Sequence, residues 1–295
     1  IVIAVGTRPG MWTAVAASIG VMLLGALWVG VDRLGWTNAL LLTVRRAAAI
    51  ALAGFASFVI LLATYPKAFA NPLQMAWQSA IASGNYEAWD GRLITAGIEH
   101  GQPPPWWYVP IWLTNQLPLL LMAFAITGFT VSLALIVRAA APNPSVRPDP
   151  SRAVGLALIL VQAMLLPILA VALESRLYDG IRQLLFIIPA WTLLATVGIW
   201  WAFRVAKGIR RGRRTTVVSV CVLTALSLVL PTFDQVRLFP YNYAYFNEIA
   251  TLQPVNDRWP TDYWRTSLRE LARNPLIGTI PVCTPGASLV DCQPP

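Results

Sequence analysis

The segment at 174–182 is the first candidate for chemistry, because it places four charged side chains between two long apolar stretches. Its polar residues are Glu174, Ser175, Arg176, Tyr178, Asp179 and Arg182. A guanidinium group can donate two parallel hydrogen bonds to the oxygens of one phosphate. Arg176 and Arg182, together with the Tyr178 hydroxyl, would therefore suit a lipid phosphate. A solvated turn, in which a carboxylate of the same segment pairs with an arginine, accounts for these residues equally well.

The segment at 65–116 is a second candidate, because it combines aromatic and charged side chains. The residues that would contact a sugar or an acceptor are Glu87, Trp89, Asp90, Arg92 and His100. Stacking aromatics that alternate with carboxylates suit a sugar-binding surface. An aromatic belt at a membrane interface explains the run at 106–112 instead, and a loop histidine most often serves as a hydrogen-bonding group.

The tail at 234–295 is rich in aromatic residues, and Tyr241, Tyr243 and Tyr245 alternate along it. Packing against the ends of the apolar stretches is the simplest role for most of these rings. We therefore expect the tail to form a small folded cap.

The cysteines and the lone histidine limit the cofactor chemistry. Cys221 lies in an apolar stretch and is expected to be a small buried hydrophobic residue. Cys283 and Cys292 flank a Pro-Gly turn, which favours a disulfide between them over two free thiols. Because His100 is the only histidine, we expect no zinc site. We also expect no obligatory cofactor, with a bound divalent metal as the alternative.

The composition defines the class of molecule that carries these residues. Of the 295 residues, 57% are hydrophobic and only 12% are charged, whereas soluble domains average about 25% charged residues. This composition excludes a water-exposed globular fold, a disordered chain and a disulfide-stapled miniprotein. The chain is predicted to be an all-α, polytopic membrane protein.

Six stretches lack Asp, Glu, Lys and Arg over at least the 18 residues that a spanning helix needs. They are 11–31, 47–64, 117–137, 153–173, 183–203 and 215–233. Residues 40–44 could be an interfacial turn or the start of the second span. Pro167 and Pro189 fall inside two of the stretches, where we expect kinks. The prediction divides the chain into a transmembrane region at 1–233, with the long loop 65–116, and the tail at 234–295.

The distribution of cations predicts the orientation in a cell membrane. Segments 32–46, 138–152 and 204–214 contain twelve cations, against five in the short segments on the other side. Positive loops face the cytoplasm, so the loops 65–116 and 174–182 and the tail 234–295 are expected to be extracytoplasmic. The run at 204–214 is explained by this topology and by attraction to anionic lipid headgroups. It lacks the interleaved aromatics expected for nucleic-acid binding.

Several ordered motifs between Tyr65 and Arg273 resemble a known family. They are YP…NP, WWYVPIWL at 106–113, LYDGIRQLLFIIPAW at 177–191, FPYNYAYFNEI at 239–249 and TDYWRTSLRE at 261–270. The order and type of these motifs are similar to those in the C-terminal half of bacterial GT-C-fold glycosyltransferases, in the protein mannosyltransferase and aminoarabinose transferase-like superfamily. The resemblance, with the apolar residues at 1–6, leads us to expect that the chain is the C-terminal part of a longer protein.

The resemblance implies an activity and a set of site residues. Such enzymes transfer a sugar from a polyprenyl-phosphate donor to a glycan, lipid or protein acceptor on the extracytoplasmic face, and their catalytic carboxylate usually lies in an N-terminal loop that this sequence lacks. Within the matching motifs, Asp179, Asp262 and Tyr263 are further candidates for sugar or acceptor contacts. Gln183 stands where relatives often carry histidine.

The residues and the resemblance together favour a membrane glycosyltransferase in which Arg176 and Arg182 stabilise the departing lipid phosphate. The alternative is a non-catalytic membrane scaffold or lipid-binding subunit of the same fold. A transporter is less favoured, because no predicted span contains an ionisable residue.

Overall fold

Long uncharged stretches fold as helices in this chain, since a bilayer leaves the backbone polar groups no partners outside the helix. A computed structural model describes residues 11–64, 70–75, 77–78, 93–141, 149–177, 180–256 and 258–261. Within these residues, six helices are long and apolar enough to cross a membrane. The chain is therefore an all-α, multi-pass membrane protein, as its composition predicted.

Seven α-helices have both ends within the described residues, and one of these helices is too short to span a bilayer; residues 72–75 and 77–78 are also helical. In chain order the seven helices are α1 (Met11–Leu34), α2 (Trp36–Thr64), α3 (Tyr108–Gln116), α4 (Leu119–Ala139), α5 (Pro150–Ala172), α6 (Ile188–Gly208) and α7 (Arg213–Leu238). A two-stranded antiparallel hairpin, β1 (Leu93–Thr95) and β2 (Ile98–His100), precedes α3. Short 3-10 turns lie at Arg182–Ile187, Asn242–Ala244 and Ala250–Leu252.

The boundaries of two spans differ from the prediction. Residues 40–44 belong to α2, which begins at Trp36, directly after Gly35 turns the chain with a φ of 76°. The helix therefore includes Arg45 and Arg46. The prediction of a kink at Pro189 is wrong, because this residue lies in the first turn of α6. Proline is tolerated there, since its missing N–H would have no helical partner in any case.

Helices α4 and α6 form the tightest pair in the bundle, and both run away from the α3 end of the molecule. Gly128 of α4 and Gly198 of α6 face each other, and a Cβ on either would overlap a backbone carbonyl, that of Leu194 or that of Phe124. Small residues let helix backbones approach this closely within a membrane. Buried Ala125, Ala163, Ala190, Leu194 and Ala195 continue the contact to α5.

Helices α1 and α5 pack antiparallel and bring two predicted connecting segments to one end of the bundle. Gly25 contacts Val154, and Arg33 Nη2 lies 4.0 Å from Asp149 Oδ1. Both side chains of this ion pair are exposed, so the pair adds little stability. It shows that the end of α1 and the start of α5 lie at one end of the bundle, which also carries the end of α4 and the α6–α7 turn. We call this end the basic end.

Helix α7 lies at the edge of the bundle, and its apolar side chains are mostly exposed. Ser227 is its only buried residue among those described. The expectation that Cys221 is buried is wrong, since this thiol is free and exposed on the helix surface. An apolar span at the edge of a membrane bundle presents its side chains to lipid, so an apolar surrounding does not imply burial in protein.

Candidate functional site

Three parts of the chain that are distant in sequence pack together opposite the basic end. They are the described residues of 93–117, 173–187 and 239–261, which we call the cap. The buried residues of the cap core are Leu93, Tyr108, Val109, Trp112, Leu113, Leu117, Leu177, Ile181, Leu184, Ile187, Phe246, Ala250 and Trp259. Trp112 is the central ring, lying 4.7 Å from Trp259 and 6.0 Å from Phe246 between ring centroids.

The β-hairpin is fixed to the tail by Arg258. The turn between the strands places Ala96 and Gly97 at positive φ, and the Gly97 N–H donates to the Arg258 carbonyl at 3.0 Å. The Arg258 guanidinium in turn donates through Nε and Nη2 to the Ala96 carbonyl, at 3.2 and 2.9 Å. These reciprocal bonds make Arg258 a structural cation of the cap.

A buried hydroxyl joins the hairpin to α3. Trp112 Nε1 donates to Thr95 Oγ1 at 3.1 Å, and His100 Nε2 lies 3.0 Å from the same oxygen. Because Thr95 is fully buried and Trp112 can only donate, we assign the Thr95 hydroxyl as a donor to His100 Nε2, with the single imidazole proton on Nδ1 facing the Gly101 carbonyl. His100 is therefore neutral in this network.

Burial lowers the pKa of His100 below its ordinary value of 6.5, and the hydrogen bond to the Gly101 backbone offsets part of this effect. The imidazole also meets the rings of Trp107 and Tyr108 edge to face, at centroid distances of 5.4 and 5.5 Å. The prediction that this histidine serves as a hydrogen-bonding group is confirmed. The contacts place it on strand β2, against α3.

The segment that contains Arg176 and Arg182 is attached to α3 through its backbone. The Gly180 N–H donates to the Tyr108 hydroxyl at 3.1 Å, and the Ile181 N–H donates to Gln116 Oε1 at 3.4 Å. Further along, Gln102 Nε2 donates to the Leu177 carbonyl. The backbone between the two arginines is thus held at three points.

Gly180 is required for this attachment. Its φ is 72°, and a Cβ at this position would lie 3.0 Å from the Trp112 ring and 3.1 Å from Gln116 Oε1. Leu177 and Ile181 are buried on either side of it. Arg176 and Arg182, one residue further out in each direction, are half-buried at the edge of the cap core.

Asn247 anchors the tail to the end of α3. Its Nδ2 donates to the Thr114 and Leu117 carbonyls, both at 2.7 Å, and its Oδ1 accepts from the Ile249 and Ala250 N–H groups. Backbone carbonyls at a helix end need such partners when they are buried. Asn247 is 2% exposed, so its role is to satisfy buried backbone.

The tyrosines of the tail lie in different surroundings. Tyr241 and Tyr243 are half-buried and meet edge to face, with centroids 6.4 Å apart. Tyr245 is buried, and burial, followed by the charges of Glu248 and Asp234, raises its pKa to about 12. The expected packing of this part of the tail is confirmed, and Tyr245 stays neutral at physiological pH.

The structure brings together some of the predicted site residues and corrects one interpretation. Arg176, Arg182 and His100 all belong to the cap. The interfacial belt fits Trp106, which is 71% exposed, but is wrong for Trp112, which is 2% exposed and fills the cap core. The other predicted residues lie outside the described part of the chain: Glu87, Trp89, Asp90, Arg92, Tyr178, Asp179, Asp262, Tyr263, Cys283 and Cys292.

Sequence reasoning missed the polar residues that hold the cap together. They are Thr95, Gln102, Gln116, Asn247 and Arg258. Gln102, Gln116, Asn247 and Arg258 contact residues more than sixty positions away, and the two partners of Thr95 lie on different elements, so local pattern gave no signal for four of the five. Asn247 stands within the FPYNYAYFNEI motif, which could have marked it.

No cluster of three or more His, Cys, Asp or Glu side chains within the described residues could hold a metal ion. Comparison with known protein families, curated proteins and solved structures finds no match to this chain. The fold and the cap define a multi-pass helical membrane protein with an aromatic cap at one end.

Proposed function

We propose that this protein is a membrane glycosyltransferase of the GT-C type, which transfers a sugar from a polyprenyl-phosphate donor to an extracytoplasmic acceptor. One observation carries the proposal. Arg176 and Arg182 flank a loop whose backbone is fixed to Tyr108 and Gln116 of α3 and to Gln102, which precedes this helix. Two guanidinium groups on an anchored loop, at the ends of membrane helices, suit the phosphate of a lipid.

The position of the loop supports a lipid-linked ligand. Helix α5 ends at Ala172 and the next helical turn begins at Arg182, so both arginines lie where the chain leaves and re-enters the bundle. A phosphate at this depth keeps its polyprenyl chain in the bilayer and presents its sugar to the cap. A water-soluble phosphate donor would not require a binding site at the ends of membrane helices.

The proposed chemistry assigns the arginines a role in the leaving group. An oxygen of the acceptor hydroxyl attacks the anomeric carbon of the sugar and loses its proton to a carboxylate. The bond between that carbon and the phosphate oxygen breaks, and its electron pair leaves with the polyprenyl phosphate. Arg176 and Arg182 would stabilise the negative charge that develops there, which is an effect specific to the transition state.

The assembly of the motifs gives further support. The segments at 106–113, 177–191 and 239–249, which carry the family resemblance, are separated from one another by more than forty residues in sequence. Their side chains nevertheless share the cap core through Trp112, Ile181 and Phe246. Motifs that pack around one loop are suited to building one binding site.

The charge distribution supports placing the cap outside the cytoplasm. At the cap end the described cations are Arg176, Arg182, Arg237 and Arg258, and at the basic end they are Arg33, Arg45, Arg46, Arg138, Arg152, Arg204, Lys207, Arg210, Arg211, Arg213 and Arg214. Cytoplasmic loops carry the excess of Lys and Arg. An extracytoplasmic cap is where a polyprenyl-linked sugar would meet an envelope acceptor.

Binding of a long-chain polyprenyl monophosphate to the purified protein tests the proposal. Arg182→Ala should weaken binding by about tenfold or more, because a charge-assisted contact contributes about 1.5–3 kcal/mol. Arg182→Lys should restore part of the loss, since an ammonium keeps the charge but not the planar fork. Arg237→Ala is the matched control, because this exposed arginine lies at the same end, over Phe233, and should leave binding unchanged. Equal binding by the wild type and Arg182→Ala would overturn the proposal.

A further inference from the structure

The α6–α7 turn carries the strongest local charge in the described part of the chain. Within the eleven residues 204–214 there are six cations and no carboxylate. The cations are Arg204, Lys207, Arg210, Arg211, Arg213 and Arg214, and all six are exposed. No ion pair with any described residue neutralises them, whereas Arg33 at the same end pairs with Asp149.

The turn is too short for these charges to leave the membrane surface. Helix α6 ends at Gly208 and α7 begins at Arg213, and Gly212 closes the turn with a φ of 77°. The cations therefore lie on the last two turns of one spanning helix, on the first turn of the next, or on the four residues between them. That location is the headgroup layer of a bilayer.

Exposed apolar side chains lie directly below the cations, on the membrane side. Trp200, Trp201, Val205 and Val218 are 46%, 41%, 43% and 53% exposed. The Arg204 guanidinium stacks over Trp200, with its Cζ 5.1 Å from the ring centroid. Stacking orders the guanidinium without using its N–H donors, which remain available to an anion.

We infer that this turn is a binding site for anionic phospholipids. The cations would bind the headgroup phosphodiester, and the exposed aromatic and aliphatic side chains would contact the acyl chains. A ligand that fits both surfaces must be an amphiphile with an anionic head. Inorganic phosphate or a nucleic acid would satisfy only the charges. The site is separate from the loop at 176–182, so it stands whether or not the chain is a glycosyltransferase.

Titration of phosphatidylglycerol and phosphatidylcholine, with matched acyl chains, into the detergent-solubilised protein tests this site by native mass spectrometry. The wild type should bind phosphatidylglycerol about tenfold more tightly than phosphatidylcholine, since each interfacial cation adds to the attraction. The variant Arg210→Gln/Arg211→Gln/Arg213→Gln/Arg214→Gln should lose most of this preference. Equal affinity of the wild type for the two lipids would overturn the inference.

A matched control separates a site from general attraction to net charge. The variant Arg45→Gln/Arg46→Gln/Arg138→Gln/Arg152→Gln removes four exposed arginines from helices that share the basic end, and should keep the preference. Equal losses in the two variants would mean that only net charge matters and would contradict the inference. So would displacement of the lipid by equimolar inorganic phosphate, because the apolar contacts would then contribute nothing.

Removal of cations can also change how spans insert, so a charge-conserving variant provides the second measurement. Replacing Arg210, Arg211, Arg213 and Arg214 by lysine keeps the net charge and the topological signal. Phosphatidylglycerol affinity should fall severalfold, because lysine cannot form bidentate contacts with a phosphodiester. An unchanged affinity would contradict recognition by the arginines of this turn.

Discussion

At the scale of single residues, the cap depends on a few polar side chains whose partners are buried. Thr95 Oγ1 is hydrogen-bonded to both Trp112 and His100, and the Asn247 side chain is hydrogen-bonded to four backbone groups. A buried polar group that loses its partner costs about 1–3 kcal/mol. Single substitutions at these positions therefore act on the whole cap.

His100 makes the stability of the cap depend on pH. Its folded-state pKa is lowered, mainly by burial, so the unfolded chain binds a proton more readily than the folded protein. Stability is therefore constant above the unfolded pKa of about 6.5 and falls as the pH decreases from there through the folded pKa. We expect the unfolding temperature of the wild type to decrease between about pH 7 and pH 5.

The variant His100→Gln isolates this contribution, because glutamine keeps hydrogen-bonding capacity and does not titrate. Thermal unfolding followed by tryptophan fluorescence should show a weaker decrease at acidic pH for the variant than for the wild type. The remaining decrease comes from the carboxylates that both proteins share. Parallel curves for the two proteins would mean that His100 does not titrate differently on folding.

At the scale of elements, sequence predicted the spanning helices well and the cap poorly. Apolar runs identify spans because the bilayer forces any such run into a helix. The start of α2 stayed undecided because Arg45 and Arg46 interrupt the apolar run without interrupting the helix. The β-hairpin and α3 were missed, since their structure depends on contacts with Arg258 and Asn247 that no local pattern encodes.

The candidate site shows the same difference between features encoded locally and features that depend on long-range contacts. Residue type and spacing were enough to propose Arg176 and Arg182 as phosphate ligands. The attachment of this loop to Tyr108 and Gln116 could not be recognised in this way, because more than sixty residues separate these partners. Long-range pairing is set by the packed fold and leaves no periodicity in the sequence.

The α4–α6 pair provides a test of packing. Replacing Gly128 or Gly198 by alanine places a Cβ on a backbone carbonyl of the other helix, and backbone cannot move away cheaply. We expect either substitution to destabilise the protein by about 1–3 kcal/mol, measured by denaturation in detergent. Gly155→Ala in α5 is the control, because its Cβ would meet nothing within 4 Å. Equal stability of all three variants would contradict this close packing.

At the scale of the whole molecule, the bundle separates two kinds of polar surface. The basic end is exposed and cationic, with the six cations of the α6–α7 turn unneutralised by described carboxylates. The cap end is an aromatic core in which Thr95, Asn247 and Arg258 form hydrogen bonds between segments that are distant in sequence. Such asymmetry suits a membrane protein with one fixed orientation, because an excess of Lys and Arg at one end favours its placement in the cytoplasm.

The orientation itself is the final prediction. Eleven of the fifteen described cations lie at or near the basic end, so this end should face the cytoplasm. In a background with Cys221, Cys283 and Cys292 replaced by serine, single cysteines are introduced as Ser151→Cys at the basic end and as Leu252→Cys in the cap. Leu252 is 81% exposed and Ser151 is also exposed, so both thiols are accessible to reagent. A membrane-impermeant maleimide added to intact cells should label only Leu252→Cys, and permeabilisation should add labelling of Ser151→Cys. Labelling of both variants in intact cells would contradict the alternation of the spans. Labelling of Ser151→Cys alone would show the opposite orientation, in which the cap does not lie on the face where the proposed sugar donor is used.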